Sequence, residues 1–371
     1  MPLAADALLA GPRGRRVCLE AVLACSGDTS DLRTALFWAG YWAADGSAVL
    51  YSASAGASEA ARAGSREQIS RAERETMPHP APREVAELID EVDLHRLDDR
   101  TVDAAVTASV TSARYWQEPD GEDGLAATNE VRNALVRVAR RICELPGVQW
   151  WSSPMDPARQ AAVAFDGVPH PADDVPRHDV LDGWRQRVEQ DEVCAARERP
   201  ADPTANWSGT WWTRPSLELR VTTRDHGATG PARLDWVEDG LGWTRAVATA
   251  VDVPANADVY EIDGPDAWIE LCRRHPLEVT ASRRHDWYRT TGRVGRWVIP
   301  DWSSIGREHD GVHLSVAGYL ASAGRALPVD GDTATVLAGW DPDATYWFTP
   351  VRLDASTTKE WTQDDDGAWR S

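Results

Sequence analysis

Between Arg283 and His313 the chain gathers Arg283-Arg284-His285-Asp286-Trp287-Tyr288-Arg289, then Asp301-Trp302, then His309-Asp310-Gly311-Val312-His313. These residue types suit one chemistry. A guanidinium fork grips phosphate or carboxylate, an imidazole moves protons near neutrality, and an indole stacks on a ring. The segment is therefore the candidate site for a small anionic, partly aromatic ligand such as a nucleotide. Arg284 is the anion clamp, with Asp286, Tyr288, Arg289 and Asp301 beside it. Trp287 or Trp302 supplies the stacking face, and His285 or His313 the acid and base. The competing reading is a pair of exposed loops joined by ordinary salt bridges.

Asp310-Gly311-Val312-His313-Leu314-Ser315-Val316-Ala317-Gly318-Tyr319 resembles the last motif block of the SGNH/GDSL hydrolases. That resemblance implies an ester hydrolase in which Asp310 orients His313 and His313 activates a serine. The other blocks depart from the family. Ser26-Gly27-Asp28-Thr29-Ser30 follows a helical pattern where the family has a strand, and no Asn precedes an Asp to build an oxyanion hole. Read without the family, Val312, Leu314 and Val316 form the apolar side of a strand, and His313 and Ser315 share its other side. A second likeness is to ADP-ribosyltransferases, which would make NAD the cofactor. It implies an early-strand cation at Arg224, nicotinamide stacking by Tyr288 or Trp287, and Asp341 or Asp343 where that family carries a late Glu. The order of segments (Leu8–Arg16, Tyr115–Gly124, Val259–Pro276, Ser282–Tyr319 and Trp340–Trp347) is similar to a set of uncharacterised proteins from high-GC actinobacteria. This implies an intracellular bacterial protein without an obligatory metal.

The elements that must position these residues divide the chain. Residues 1–146 read as helices. Val131, Leu135, Val138, Ile142 and Leu145 recur at helical spacing until Pro146 stops them. Val17, Leu19, Val22 and Leu23 form another stripe, as do Val85, Leu88 and Ile89 after Pro82. Residues 147–206 read as a connecting region, with strands at Val148–Trp151 and Gln160–Phe165 and a helix at Leu181–Arg197. Residues 207–371 alternate short Val/Trp/Thr-rich segments with Gly, Pro and Asp. The expected strands are Leu217–Thr223, Arg233–Val237, Thr244–Val251, Asp258–Ile262, Glu278–Ser282, Arg296–Ile299 and Thr333–Leu337. One helix interrupts them, from Pro265 at its first turn to Arg273, Arg274 and His275 at its last. The expected class is α+β: a mainly helical N-terminal part, then a Trp-rich, strand-dominated part. Of 19 Trp, only Trp38, Trp42 and Trp116 precede Trp150.

A net charge of −20 excludes a basic nucleic-acid footprint and electrostatic docking on an anionic membrane. Lys359 is the single lysine among 39 basic residues, the mark of a GC-rich genome, so an Arg is not functional merely for being Arg. Five cysteines without a CxxC pair, Cys18, Cys25, Cys143, Cys194 and Cys272, read as reduced thiols in a cytoplasm. No metal-ligand spacing stands out. His170 and His178 flank Asp173 and Asp174, which reads as a solvated loop sooner than a cation site. Neither a Rossmann nor a P-loop fingerprint occurs. Ser52–Ser65 reads as a loop. The opposed functional reading is a non-catalytic interaction module that meets a partner protein through exposed Trp and Arg.

Overall fold

The computed structural model describes residues 3–27, 30–44, 76–168 and 176–371. Asp28, Thr29, His170, Asp173, Asp174 and the Ser52–Ser65 stretch lie outside these residues. The class is α+β, with helices mainly N-terminal and strands mainly C-terminal.

The front is α1 (Ala5–Ala10), α2 (Pro12–Ser26), α3 (Asp31–Ala43), α4 (Pro82–Glu91), α5 (Asp99–Thr111), α6 (Gly121–Ala126) and α7 (Asn129–Cys143). Side-chain oxygens cap several starts: Ser30, Asp98 and Asp120 each accept a backbone N–H from the first turn. The stripe Val131, Leu135, Val138 and Ile142 is fully buried, as its period requires. A separate short helix, α6, precedes this stripe, and the two are broken at Ala127-Thr128.

The back carries two sheets. The larger has strand order β13-β12-β3-β1-β2-β10-β7-β4, with β11 beside β3. Its strands are β1 (Gln160–Phe165), β2 (Arg220–Arg224), β3 (Arg245–Asp252), β4 (Val259–Ile262), β7 (Gly311–Leu314), β10 (Thr345–Trp347), β11 (Arg352–Leu353), β12 (Lys359–Gln363) and β13 (Trp369–Arg370). Only β4 and β7 pair parallel within it; the other pairings are antiparallel. The smaller sheet runs β5 (Pro276–Glu278), β6 (Arg296–Pro300), β9 (Thr333–Thr335) and β8 (Leu327–Asp330), in that order. Helices α8 (Arg177–Glu198), α9 (Pro265–Arg274), α10 (Thr280–Thr291), α11 (Trp302–Ile305) and α12 (Val316–Ser322) pack among them.

Three expected strands are corrected. Val148–Trp151 lies in a 3-10 helix, Pro146–Ser152, which starts on its proline and buries Val148 and Trp151. Arg233–Val237 contains a 3-10 turn over Ala232–Leu234 instead. Glu278–Ser282 splits into the end of β5 and the start of α10. The switch is fixed by Thr280, whose Oγ1 accepts the Trp297 N–H at 2.7 Å, and by Glu192, which accepts the N–H groups of Ala281 and Ser282.

One buried core runs from Leu8 to Phe348, so the boundaries at 146 and 206 mark changes of texture and not breaks in packing. Backbones meet closely where the front meets α12 and where α12 crosses the end of β4. A Cβ built on Gly11 would stand 2.1 Å from the Leu320 carbonyl oxygen of α12, and one on Gly318 would stand 2.2 Å from that of Ile262. A satellite cluster of Val163, Phe165, Leu234, Trp361 and Trp369 closes the β12–β13 end. No described helix is long and apolar enough to cross a membrane.

Candidate functional site

Strand alternation sorts the residues of β7. Val312 and Leu314 enter the core, and His313 faces the other side. Register then aligns a polar row on that side. His313 lies opposite Glu261 of β4 and Thr345 of β10, and Thr345 lies opposite Thr222 of β2. Two residues along β2 sits Arg224, paired with Gln160 of β1.

The row is joined by hydrogen bonds. His313 Nδ1 stands 2.6 Å from Glu261 Oε2, and its Nε2 stands 3.4 Å from Asp343 Oδ1. Asp343 Oδ2 accepts the Arg224 backbone N–H at 2.6 Å. Asp343 is held with φ of 60°, a left-handed conformation that a short polar side chain tolerates. The segment after the 3-10 helix closes the ring: Met155 donates its N–H to Glu261 at 2.9 Å, and Asp156 accepts from Arg224 Nη1 at 3.1 Å. Thr222 donates to Gln160 and accepts the Trp347 indole N–H. The Arg224 guanidinium lies 4.8 Å from the Trp150 ring centroid, and His226 packs on the same ring at 4.9 Å.

Two imidazoles differ here. Burial alone would push the His313 imidazolium down, but hydrogen bonds to Asp343 and Glu261 outweigh it and raise the pKa to about 9. His313 is thus a fixed cation with both nitrogens engaged, a poor general base. Burial lowers His226, and Arg159 and Arg224 lower it further against the pull of Asp343. Neutral His226 keeps an unpartnered, buried Nε2. Arg224 Nε and Thr345 Oγ1 are also buried without a partner. Such groups cost about 1–3 kcal/mol each unless something pairs with them.

The residues singled out from the sequence fall into separate settings. Asp310 does not reach His313 in any hydrogen bond; its carboxylate accepts the Asp258 N–H at 2.9 Å, so Glu261 takes the orienting place expected of Asp310. His285, Arg284, Asp286, Trp287, Tyr288 and Arg289 lie on α10. No hydrogen bond, ion pair or ring contact among the described residues links them to His313. Burial, then Arg284, lowers His285, whose Nε2 has no partner. Arg284 Nη2 reaches the Ala195 carbonyl at 3.5 Å. Asp286 accepts from Ser208, the Gly209 N–H and Arg289. Arg289 also donates to the Trp116 carbonyl. Asp301 caps α11 and pairs with Arg185 at 2.8 Å. Trp287 and Trp302 are 0% exposed, with their N–H groups on the Trp211 and Thr213 carbonyls. Neither can present a stacking face; both are core.

Arg224 and Asp343, picked out by the NAD likeness, do meet, whereas Asp341 is taken by Arg233 and the Glu238 N–H. Sequence reasoning missed Glu261, His226, Asp156 and Thr345. The available signal was a Glu alternating with Tyr260 and Ile262 inside a strand. All five cysteines are free thiols. Among the described residues no group of His, Cys, Asp and Glu has the geometry to hold a metal ion. Comparison with family models, curated proteins and solved structures finds no match to this chain.

Proposed function

We propose that the polar face built by Glu261, His313, Asp343 and Arg224 binds a small anionic ligand of the nucleotide class. The observation that carries this reading is the convergence there of unpaired buried polar atoms (Arg224 Nε, His226 Nε2 and Thr345 Oγ1) beside a fixed imidazolium. A phosphate or carboxylate accepts from the guanidinium, and a ligand hydroxyl or amide donates to His226 and Thr345. The rim formed by Glu261 and Asp156 is partly exposed, so the face touches solvent. Binding, not proton transfer through His313, is the activity this arrangement favours. The partner-protein alternative draws less support, because Trp207 is the one exposed Trp among the described residues.

Isothermal titration with NAD and with ADP tests the reading on wild type, Arg224→Met and Thr345→Val, each checked for folding by circular dichroism. Wild type is expected to bind at least one nucleotide saturably. Arg224→Met should weaken it about tenfold, the worth of a charge-assisted contact. Absence of binding to wild type, or equal binding by folded Arg224→Met, defeats the proposal.

A further inference from the structure

Arg15 of α2 and Arg325, just past α12, meet at the C-terminal end of α1, and Arg132 lies in the first turn of α7, a helix packed against α1. Nη1 of Arg15 donates to the Leu9 and Ala10 carbonyls, both at 3.2 Å. Nη1 of Arg325 donates to the same Ala10 oxygen at 3.3 Å and to Ala321 at 3.2 Å. Two guanidinium groups therefore share one acceptor. None of the three arginines forms an ion pair with a carboxylate among the described residues. Asp123, the acid whose field reaches Arg15, is already paired with Arg13.

Capping of α1 explains only part of this cluster, since cations do suit a helix C-terminus. It does not explain Arg132, which is exposed and whose guanidinium has no hydrogen bond or ion pair among the described residues. Nor does it explain Arg15 Nε, which is buried without a partner. Mutual repulsion is felt. Arg15 is lowered to about 10 by burial and then by Arg132 and Arg325, and Arg325 is lowered by burial and Arg132. Elsewhere in this acidic chain the buried arginines Arg13, Arg16 and Arg283 all face Asp or Glu. Arg15, Arg132 and Arg325 differ in that they repel one another with no carboxylate of their own, a deficit that an anion would fill.

We propose that Arg15, Arg132 and Arg325 bind a compact, multiply charged oxyanion of the phosphate or pyrophosphate class at the seam of α1, α2, α7 and α12. The anion accepts from Arg15 Nε and from the free donors of Arg132 and Arg325. It ties helices of the front to the segment after α12, and it is a different site from the face around Arg224.

Inorganic pyrophosphate is the probe, titrated calorimetrically and in thermal melts against sodium chloride of equal ionic strength. Wild type should bind it saturably and melt higher than in sodium chloride. Arg132→Ala removes a side chain without an internal partner and relieves its repulsion of Arg15 and Arg325, so it should melt no lower than wild type in sodium chloride, lose the pyrophosphate shift and bind about tenfold more weakly. Arg325→Gln should weaken binding likewise, and Arg83→Gln, at an exposed arginine of α4, should keep the full response. The proposal is overturned if pyrophosphate acts no differently from sodium chloride, if Arg132→Ala and Arg325→Gln respond as wild type, or if Arg83→Gln abolishes the effect.

Discussion

The His313 imidazolium stands between Glu261 and Asp343 with only 1% of its surface exposed, so solvent screens little of the interaction. Its pKa of about 9 exceeds the reference of 6.5 expected for the unfolded chain. A difference of about 2.5 units, at about 1.4 kcal/mol per unit, is a stabilisation on the order of 3 kcal/mol. The sign follows from proton counting. Below pH 6.5 both states hold the proton and the whole contribution is present. As pH rises from there, the unfolded chain gives up its proton and the native chain does not, so stability falls by about 1.4 kcal/mol per unit. Beyond pH of about 9 the contribution is gone. His313→Gln keeps a donor for one carboxylate but removes the charge. Urea unfolding of both proteins across this range should show a wild-type advantage on the acidic side that closes toward the alkaline end. Titrating groups that do not touch His313 are common to both proteins and cancel in the difference. Parallel pH profiles for wild type and variant would refute the buried imidazolium.

Burial raises the Glu238 carboxyl to about 7, although it accepts from the Tyr115 hydroxyl at 2.6 Å and the Trp340 N–H at 3.0 Å. Its contribution is complete below pH 4.5 and is lost as pH rises through about 7, roughly 3 kcal/mol in all by the same conversion. Glu238→Gln should flatten the urea-stability profile over that interval, and an unchanged slope would show that the group titrates normally. Two glycine substitutions should differ in sign. Gly318→Ala drives a Cβ to 2.2 Å from the Ile262 carbonyl oxygen and should cost about 1–3 kcal/mol in urea unfolding. Gly124→Ala in α6 meets nothing within 4 Å and should gain about 0.4–1 kcal/mol. An unchanged or stabilised Gly318→Ala would mean that the close approach of α12 to β4 is not as described.

The fold was readable where many residues agree on one period. Trp268, Leu271 and Cys272 of α9 are buried as their spacing demands, and Gln160–Phe165 is β1 with both ends in place. Agreement failed where elements are short and a distant partner decides. Pro146-Gly147 turns a Val/Trp run into a 3-10 helix because Trp151 has a core to enter. Thr280–Ser282 becomes the start of α10, not a strand, because Trp297 and Glu192, remote in sequence, take its hydrogen bonds. The shared core was equally hidden. The contacts that join front to back, such as Gly11 on Leu320, pair residues from opposite ends of the chain, and local periodicity says nothing of them.

The candidate site shows the same limit from the side of chemistry. Polar density along Arg283–Arg289 looked like a site, but a helix rotates each residue about 100° from the last, so consecutive residues cannot face one pocket. Arg283 turns to Asp191, Asp286 to Ser208 and Gly209, and Trp287 into the core. A sheet works the other way. Its pairing sets Glu261, His313, Thr345 and Thr222 side by side from four strands, although each looks unremarkable in its own segment. Charge crowded along one helix here mostly secures that helix to its neighbours. Charge brought into register across strands leaves Arg224 and Thr345 with unspent hydrogen-bonding capacity, and the binding we propose rests on that surplus more than on the crowding of charge.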